Sequence, residues 1–299
     1  MSVNQAVLFT KPVHHLGIDL SPDALNELTR SFFESRGVQF ILSKEVSGAE
    51  LESRGIIREH YLMYSKASLA ETIKVSDSGK QVFKETFGKS WNSELANGRI
   101  LPTSRLLLES GLSKHKLYQL WSREFLSGHT VKLEDGIIVG YLSEFDVYCI
   151  NAFYPAMEEN FYHPNTRIYY HVVEFDSAQI SWKTFRKNML GETNASKAVL
   201  GSFRGQLYAR YPVDFPGRDN FAHCSAGPLE ALIERSIHEV DFDMNTNPIG
   251  CFLLERGVDL AYFKAWKENQ PIKAIGALFD QTEEKNTDEV VQILSALSW

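Results

Sequence analysis

The sequence predicts a sandwich of α/β or α+β type, a sheet covered by helices. Three observations carry this. Short β-branched and aromatic runs alternate with amphipathic stretches along the chain. Of the 299 residues, 43% are hydrophobic and 23% charged, the balance of a globular chain whose core needs no disulfide staples. No run of 18 apolar residues occurs, so no segment is expected to span a membrane.

The elements follow in order. Ala6–Thr10 (AVLFT) is a buried strand stopped by Lys11-Pro12. Ser21-Pro22 reads as a helix N-cap followed by proline in the first turn. Ala24, Leu25, Leu28, Phe32 and Phe33 keep helical spacing until Gly37 ends the helix. Val38–Leu42 reads as a strand and Ser47 to about Met63 as one helix; the pattern weakens from Ser65 to Leu101. Ser104–Glu124 reads as helical with an interruption at Gly111. Thr130–Leu142 reads as a hairpin turning at Glu134-Asp135-Gly136. Asn151–Phe161 is expected to be helical, Arg167–Phe175 a strand and Ser177–Met189 a helix. Leu190–Gly217 is rich in Gly and Pro and reads as loop. Asn220–Cys224 is a short strand, Pro228–Val240 a helix and Asp241–Gly250 a polar loop. Val258–Lys267, Ile272–Leu278 and Thr287–Leu297 read as helix, strand and helix.

Thirty-one basic and 38 acidic side chains leave a net charge of −7, which argues against a dedicated nucleic-acid binder. A local basic pocket for one anionic ligand is compatible with that balance. Cys149, Cys224 and Cys251 are odd in number and form no CxxC, as in a protein with reduced thiols. The start MSVNQAVLFTKP lacks the basic and long apolar segments of a signal peptide, so a cytoplasmic protein is expected. No two histidines have HExxH spacing, and no metal held by protein side chains is expected. His14, His15, His115, His129, His163 and His238 read as surface or loop residues.

His223 stands out by its company. It ends a short strand, a helix follows, and Glu234 lies eleven residues on, two turns into that helix. Upstream are Gly191-Glu192-Thr193-Asn194 and Gly201-Ser202-Phe203-Arg204-Gly205. Neutral histidine is a competent nucleophile, and a carboxylate on one ring nitrogen fixes the tautomer so that the other can attack. Arginine and hydroxyl donors suit a phosphoryl group. A lone histidine at a strand end is more often a core or loop residue.

In this region the sequence resembles the nucleoside diphosphate kinases. Thr193, Arg204, Asn220, His223 and Glu234 follow the family's order, with the Arg-to-Asn gap six residues longer. Met189–Asn194 (MLGETN) is similar to the family's loop, and Gly201–Gly205 to its G-x-x-R-G. Leu8–Pro12 is similar to its first strand and lysine, and Glu59-His60-Tyr61 to its E-H-Y. The resemblance implies an α+β, ferredoxin-like βαββαβ sandwich, an antiparallel four-stranded sheet covered by helices, with an inserted α/β segment. Residues 1–61 and 151–238 would form the core, 62–150 an insertion in the hairpin over the nucleotide, and 239–299 a C-terminal extension. It implies a ping-pong transfer of the γ-phosphate from a nucleoside triphosphate to a nucleoside diphosphate through phosphohistidine on His223. Lys11, Arg204 and Lys187 would supply charge, and Thr193, Tyr61 and Asn220 neutral donors. Glu234 and Ser225 would orient the histidine. Phe153 and Met157 would clamp the base, and Mg²⁺ would arrive on the nucleotide phosphates. A homo-oligomer is a further implication.

The chain departs from the family's pattern in several places. Val13-His14-His15 follows the lysine-proline in place of aspartate-glycine. Lys187, beside Arg186, stands where the family has arginine, keeping charge but losing the bidentate fork. Cys224 replaces a glycine after the histidine, placing an oxidisable thiol there, and Ala226 stands where an acidic residue is usual. These raise the alternative of a catalytically weakened nucleotide-binding or scaffold module. Leu117, Tyr118, Leu120 and Trp121 in the insertion are expected to form its own core.

Overall fold

The computed structural model describes residues 2–70, 73–269 and 278–297. It is a mixed α+β structure. The strands among these residues are β1 (Val3–Thr10), β2 (Gln39–Ser47), β3 (Ile100–Pro102), β4 (Thr130–Glu134), β5 (Ile137–Leu142), β6 (Val147–Ile150), β7 (Arg167–Asp176) and β8 (Ala222–Cys224). They form two four-stranded sheets. The chain divides into two compact units, one built from the residues up to Glu50 and from Pro164 on, the other from Leu51–His163.

The sheet of the first unit has the order β2-β7-β1-β8 and every pairing is antiparallel. β1 runs through its interior and is buried along its length except at Val3, as the apolar run predicts. β2 forms an edge and bulges at Ile41, between the Phe40–Val173 and Leu42–Val172 pairs. Successive side chains of a strand point to opposite faces, and cross-strand partners share one. Leu8 pairs with Cys224 and Phe9 with His223, so the two faces have different fates. On the Leu8 face, Ala6, Leu8, Val173, Phe175 and Cys224 pack with Phe33 of the helix Pro22–Glu34 and with Phe185 and Phe203. That helix starts where predicted: Ser21 Oγ accepts from the Ala24 amide at 3.1 Å.

Against β1 also lies the helix Pro228–His238. Its Leu229 and Leu232 join Ile249, Leu253, Val290 and Leu294 in a second apolar cluster with the helices Pro248–Leu254 and Thr287–Ser295. Asn4 ties the last of these to β1, accepting from the Thr287 amide at 2.9 Å and donating to Asn286 Oδ1 at 2.9 Å.

Several expected elements differ. Ser47–Met63 is broken, because Gly55 sits at φ +62° between the short helices Gly48–Ser53 and Ile56–His60. Ser177–Met189 opens as a turn and coils into a wide π-helical stretch, Thr184–Leu190. The Gly-rich Leu190–Gly217 contains the helix Phe203–Arg210, whose first turn is capped by Ser202 Oγ on the Gly205 amide at 3.2 Å. The polar stretch Asp241–Gly250 contains the start of the helix Pro248–Leu254, capped by Asn247. Of the expected strand Ile272–Leu278, only Leu278 lies among the described residues, and it is helical.

In the second unit the sheet order is β3-β6-β5-β4, with β3 and β6 parallel. The predicted hairpin forms as β4 and β5, turning at Gly136 with φ +75°. Asn151 Nδ2 donates to the Gly136 carbonyl at 2.7 Å, and its Oδ1 accepts from the Ile138 amide at 2.9 Å. The expected interruption of the helix at Gly111 separates Thr103–Ser110 from Lys114–Leu126. Leu117, Tyr118, Leu120 and Trp121 are buried, as expected of a core.

Candidate active site

The site is built on the short strand β8. The chain enters it through Phe221, whose φ of +70° is a left-handed conformation rarely tolerated by a bulky residue. The Phe221 carbonyl accepts from the Lys11 amide at 2.8 Å, which brings the end of β1 beside β8. The pairing of β8 with β1 then sets His223 opposite Phe9, and the two rings stack with centroids 4.6 Å apart. His238 packs at a tilt on Phe9 at 5.3 Å and stacks on Tyr170 at 4.9 Å. It is fully buried, contrary to its expected surface position, because its helix lies against the sheet.

After β8 the chain turns into the helix Pro228–His238, whose second turn carries Glu234 back over the strand. His223 Nε2 lies 2.9 Å from Glu234 Oε1, and Ser225 Oγ donates to Glu234 Oε2 at 2.6 Å. Ser225 Oγ accepts in turn from the Val7 amide at 2.9 Å, anchoring the relay to β1. A carboxylate only accepts, so Nε2 carries the proton and the lone pair resides on Nδ1. Burial, with the charges of Lys11, Arg204 and Arg186, holds the imidazole well below the usual histidine range. The ring is therefore neutral at pH 7, the state a nucleophile requires.

Lys11 stands among positive groups. Its Nζ donates to the Arg218 carbonyl at 3.1 Å. Burial and the neighbouring Arg204 and Arg218 pull its ammonium down to about 7, against the raising effect of Asp219. Arg204 is buried, and its guanidinium donates to the carbonyls of Gly191 at 2.9 Å and Ala222 at 2.7 Å, strapping the MLGETN loop to β8. The glycine that follows it is required by space: a Cβ on Gly205 would stand 2.1 Å from the Val199 carbonyl. Asn220 is buried and donates to the Thr193 carbonyl at 2.8 Å. The Thr193 side chain itself is exposed.

His223, Glu234, Ser225, Lys11, Arg204, Asn220 and Thr193 thus belong to one linked network in the first unit. Lys187 is exposed and lies 3.4 Å from Glu284 and 3.7 Å from Glu192. Tyr61, Phe153 and Met157 belong to the second unit. There Tyr61 packs edge-on against His60, Phe153 packs against Tyr64 and Trp121, and Met157 is buried.

Sequence reading missed other participants. Arg218 and Asp219 form a bidentate pair with both bonds at 2.6 Å, and His15 Nε2 lies 3.3 Å from Asp219 Oδ1. The adjacent opposite charges immediately before Asn220 were the available signal. Arg186, beside the Lys187 that was expected to supply charge, is among the cations that hold the His223 imidazole low. Glu230, one turn before Glu234, has a buried Oε2 with no hydrogen-bond partner among the described residues. The Cys224 thiol, expected to be oxidisable, is packed in the core on the opposite face from His223, and burial pushes it up to about 12. It stays protonated, and the thiolate is the reactive form.

No protein-family model matches the chain, and no curated protein matches it. Among solved structures, the chain is similar to a nucleoside diphosphate kinase from Encephalitozoon cuniculi. The TM-score is 0.38 at 14% identity, over 80% of this chain and 90% of that one. It is also similar to an NDP kinase from Pyrobaculum aerophilum, with a TM-score of 0.37 at 15% identity, over 80% of this chain and 97% of that one. Both likenesses are distant. No helix among the described residues is long and apolar enough to cross a membrane.

Proposed function

We propose that the first unit is a phosphotransferase of nucleoside diphosphate kinase type, with His223 as the nucleophile. The observation that carries this reading is the relay itself: a neutral histidine whose Nε2 is held by Glu234, itself held by Ser225, beside a cluster of cations. The sheet order β2-β7-β1-β8 supports a ferredoxin-like βαββαβ arrangement for this unit.

In the proposed reaction, Nδ1 of His223 attacks the γ-phosphorus of a nucleoside triphosphate. The bond from that phosphorus to the bridging oxygen breaks, and the diphosphate leaves with the electron pair. The positive charge that develops on the ring faces the Glu234 carboxylate. A second nucleoside diphosphate then takes the phosphoryl group through its terminal oxygen, restoring neutral His223. Such transfers depend on positioning and on stabilising spread negative charge, and Lys11 is the amine placed to do so. Arg204 acts by holding the Gly191 loop and β8 together. Glu234 and Asp219 are engaged with His223, Ser225, Arg218 and His15, and Mg²⁺ would enter as the nucleotide's own counter-ion.

The test is incubation with γ-labelled ATP. Acid-labile, base-stable label is expected on the protein and is expected to vanish in His223→Ala; label that persists in that variant overturns the assignment. A second reading, a nucleotide-binding module without turnover, is favoured by one observation: both described Arg204 hydrogen bonds go to backbone carbonyls. ADP binding with no phosphohistidine would select it.

A further inference from the structure

The cations Arg186 and Lys187 are already met by carboxylates of the chain's own C-terminal part. Arg186 Nη1 is bonded to Glu283 Oε1 and lies 3.2 Å from Glu284 Oε1. Lys187 Nζ lies 3.4 Å from that same Glu284 oxygen. The acidic turn is held in place on several sides. The Glu284 amide donates to the carbonyl of Ala226, three residues beyond His223, at 2.9 Å. Gly227 leaves no room for a side chain, since a Cβ there would stand 2.6 Å from the Thr282 carbonyl. Glu284 itself sits at φ +57°, a conformation that persists only where the surroundings enforce it. Just beyond, Asn286 Oδ1 accepts from the Asn4 side chain at 2.9 Å and from the Trp182 amide at 2.8 Å. The segment is thus pinned to the start of β1 and to the turn that leads into Arg186.

The Arg186 and Glu284 side chains are half-buried, so their pairing is screened less by solvent than one on the open surface. Two carboxylates are delivered to two cations by a turn whose backbone is bonded to Ala226, three residues beyond His223. A bound phosphate would present the same chemistry, oxygen anions against guanidinium and ammonium.

We propose that Glu283 and Glu284 form an internal anion seated on Arg186 and Lys187, which the phosphate groups of a bound nucleotide displace. This rests on the reading of the site as one that takes nucleoside phosphates. Occupied in this way, the site binds anions more weakly than its cations allow, and nucleotide binding releases the turn.

The test compares the full-length protein with the double variant E283Q/E284Q by calorimetric titration with ADP and with inorganic pyrophosphate. Removing both competing charges is expected to tighten binding of each probe about tenfold at low salt, and the gain should shrink as salt rises. Adding R186Q/K187Q should abolish the gain. Unchanged or weaker binding in a folded E283Q/E284Q protein overturns the proposal. A measurement on the unaltered protein guards against a folding defect: hydrogen exchange at residues 282–285 should quicken when ADP is added, and exchange that slows or stays the same overturns the proposal too. Phosphohistidine formation is scored separately. Tighter anion binding without label refutes phosphotransfer and leaves the internal anion standing, while label with unchanged affinity refutes the internal anion alone.

Discussion

Lys11 gives the sharpest quantitative prediction. Its ammonium is pulled from 10.5 to about 7 by burial and by Arg204 and Arg218, a cost of about 5 kcal/mol to the charged form. A phosphate placed against Nζ favours the charged form and restores it. The complex then holds a proton that the free site has lost, so anion affinity must fall as pH rises above about 7. With the bound lysine returned to its ordinary range, affinity for ADP should drop about fiftyfold between pH 7 and pH 9, while the charge of ADP itself barely changes. Calorimetric titration in buffers of different ionisation heat measures both quantities, and close to one proton should be taken up per ADP at pH 9. Lys11→Met should bind weakly and show neither the slope nor the uptake. Affinity that stays flat from pH 7 to pH 9 in the unaltered protein, without proton uptake, would refute the reasoning that Lys11 faces the ligand.

Two further outcomes are expected. Burial, with Glu234 and Glu283 nearby, pushes the Glu230 carboxyl from 4.5 up to about 8. A raised carboxyl contributes stability that is complete below about pH 4.5 and lost as pH rises through about 8. Between pH 5 and pH 8 the unaltered protein should therefore lose about 3 kcal/mol relative to Glu230→Gln, read by urea unfolding at each pH; parallel pH profiles would contradict this. For the thiols, Cys251 is partly exposed whereas Cys224 is buried and protonated. Iodoacetamide at pH 8 should modify Cys251 well before Cys224, as mass spectrometry of the digested protein would report.

Legibility in the sequence followed how local the cause was. β1 reads from an apolar run, the helix Pro22–Glu34 from its Ser-Pro start and helical spacing, and the hairpin from Asp135-Gly136. In each, neighbours along the chain supply the physics. The Asn220, His223 and Glu234 spacing was equally readable, because one short strand and two helical turns convert sequence separation directly into distance. The helix Phe203–Arg210 was hidden because Gly201 and Gly205 read as loop residues. Gly205 is there for close approach to Val199, a contact visible only in space. His238 was misread because a single histidine does not announce that its helix lies against Phe9 and Tyr170.

The sequence by itself offered the nucleophile candidate and its carboxylate, which sit within one strand–turn–helix segment, and its resemblance to a family implied the serine. Only the tertiary structure decided which cations surround them and in what state. It set Lys11, just past the end of β1, among other cations and made its charge costly. It turned Arg204 into a strap between two carbonyls. It brought Glu283 and Glu284 from the far end of the chain onto Arg186 and Lys187. Charge acts through space and burial rather than along the chain. The electrostatics of this site are therefore a property of the fold that no local spacing encodes.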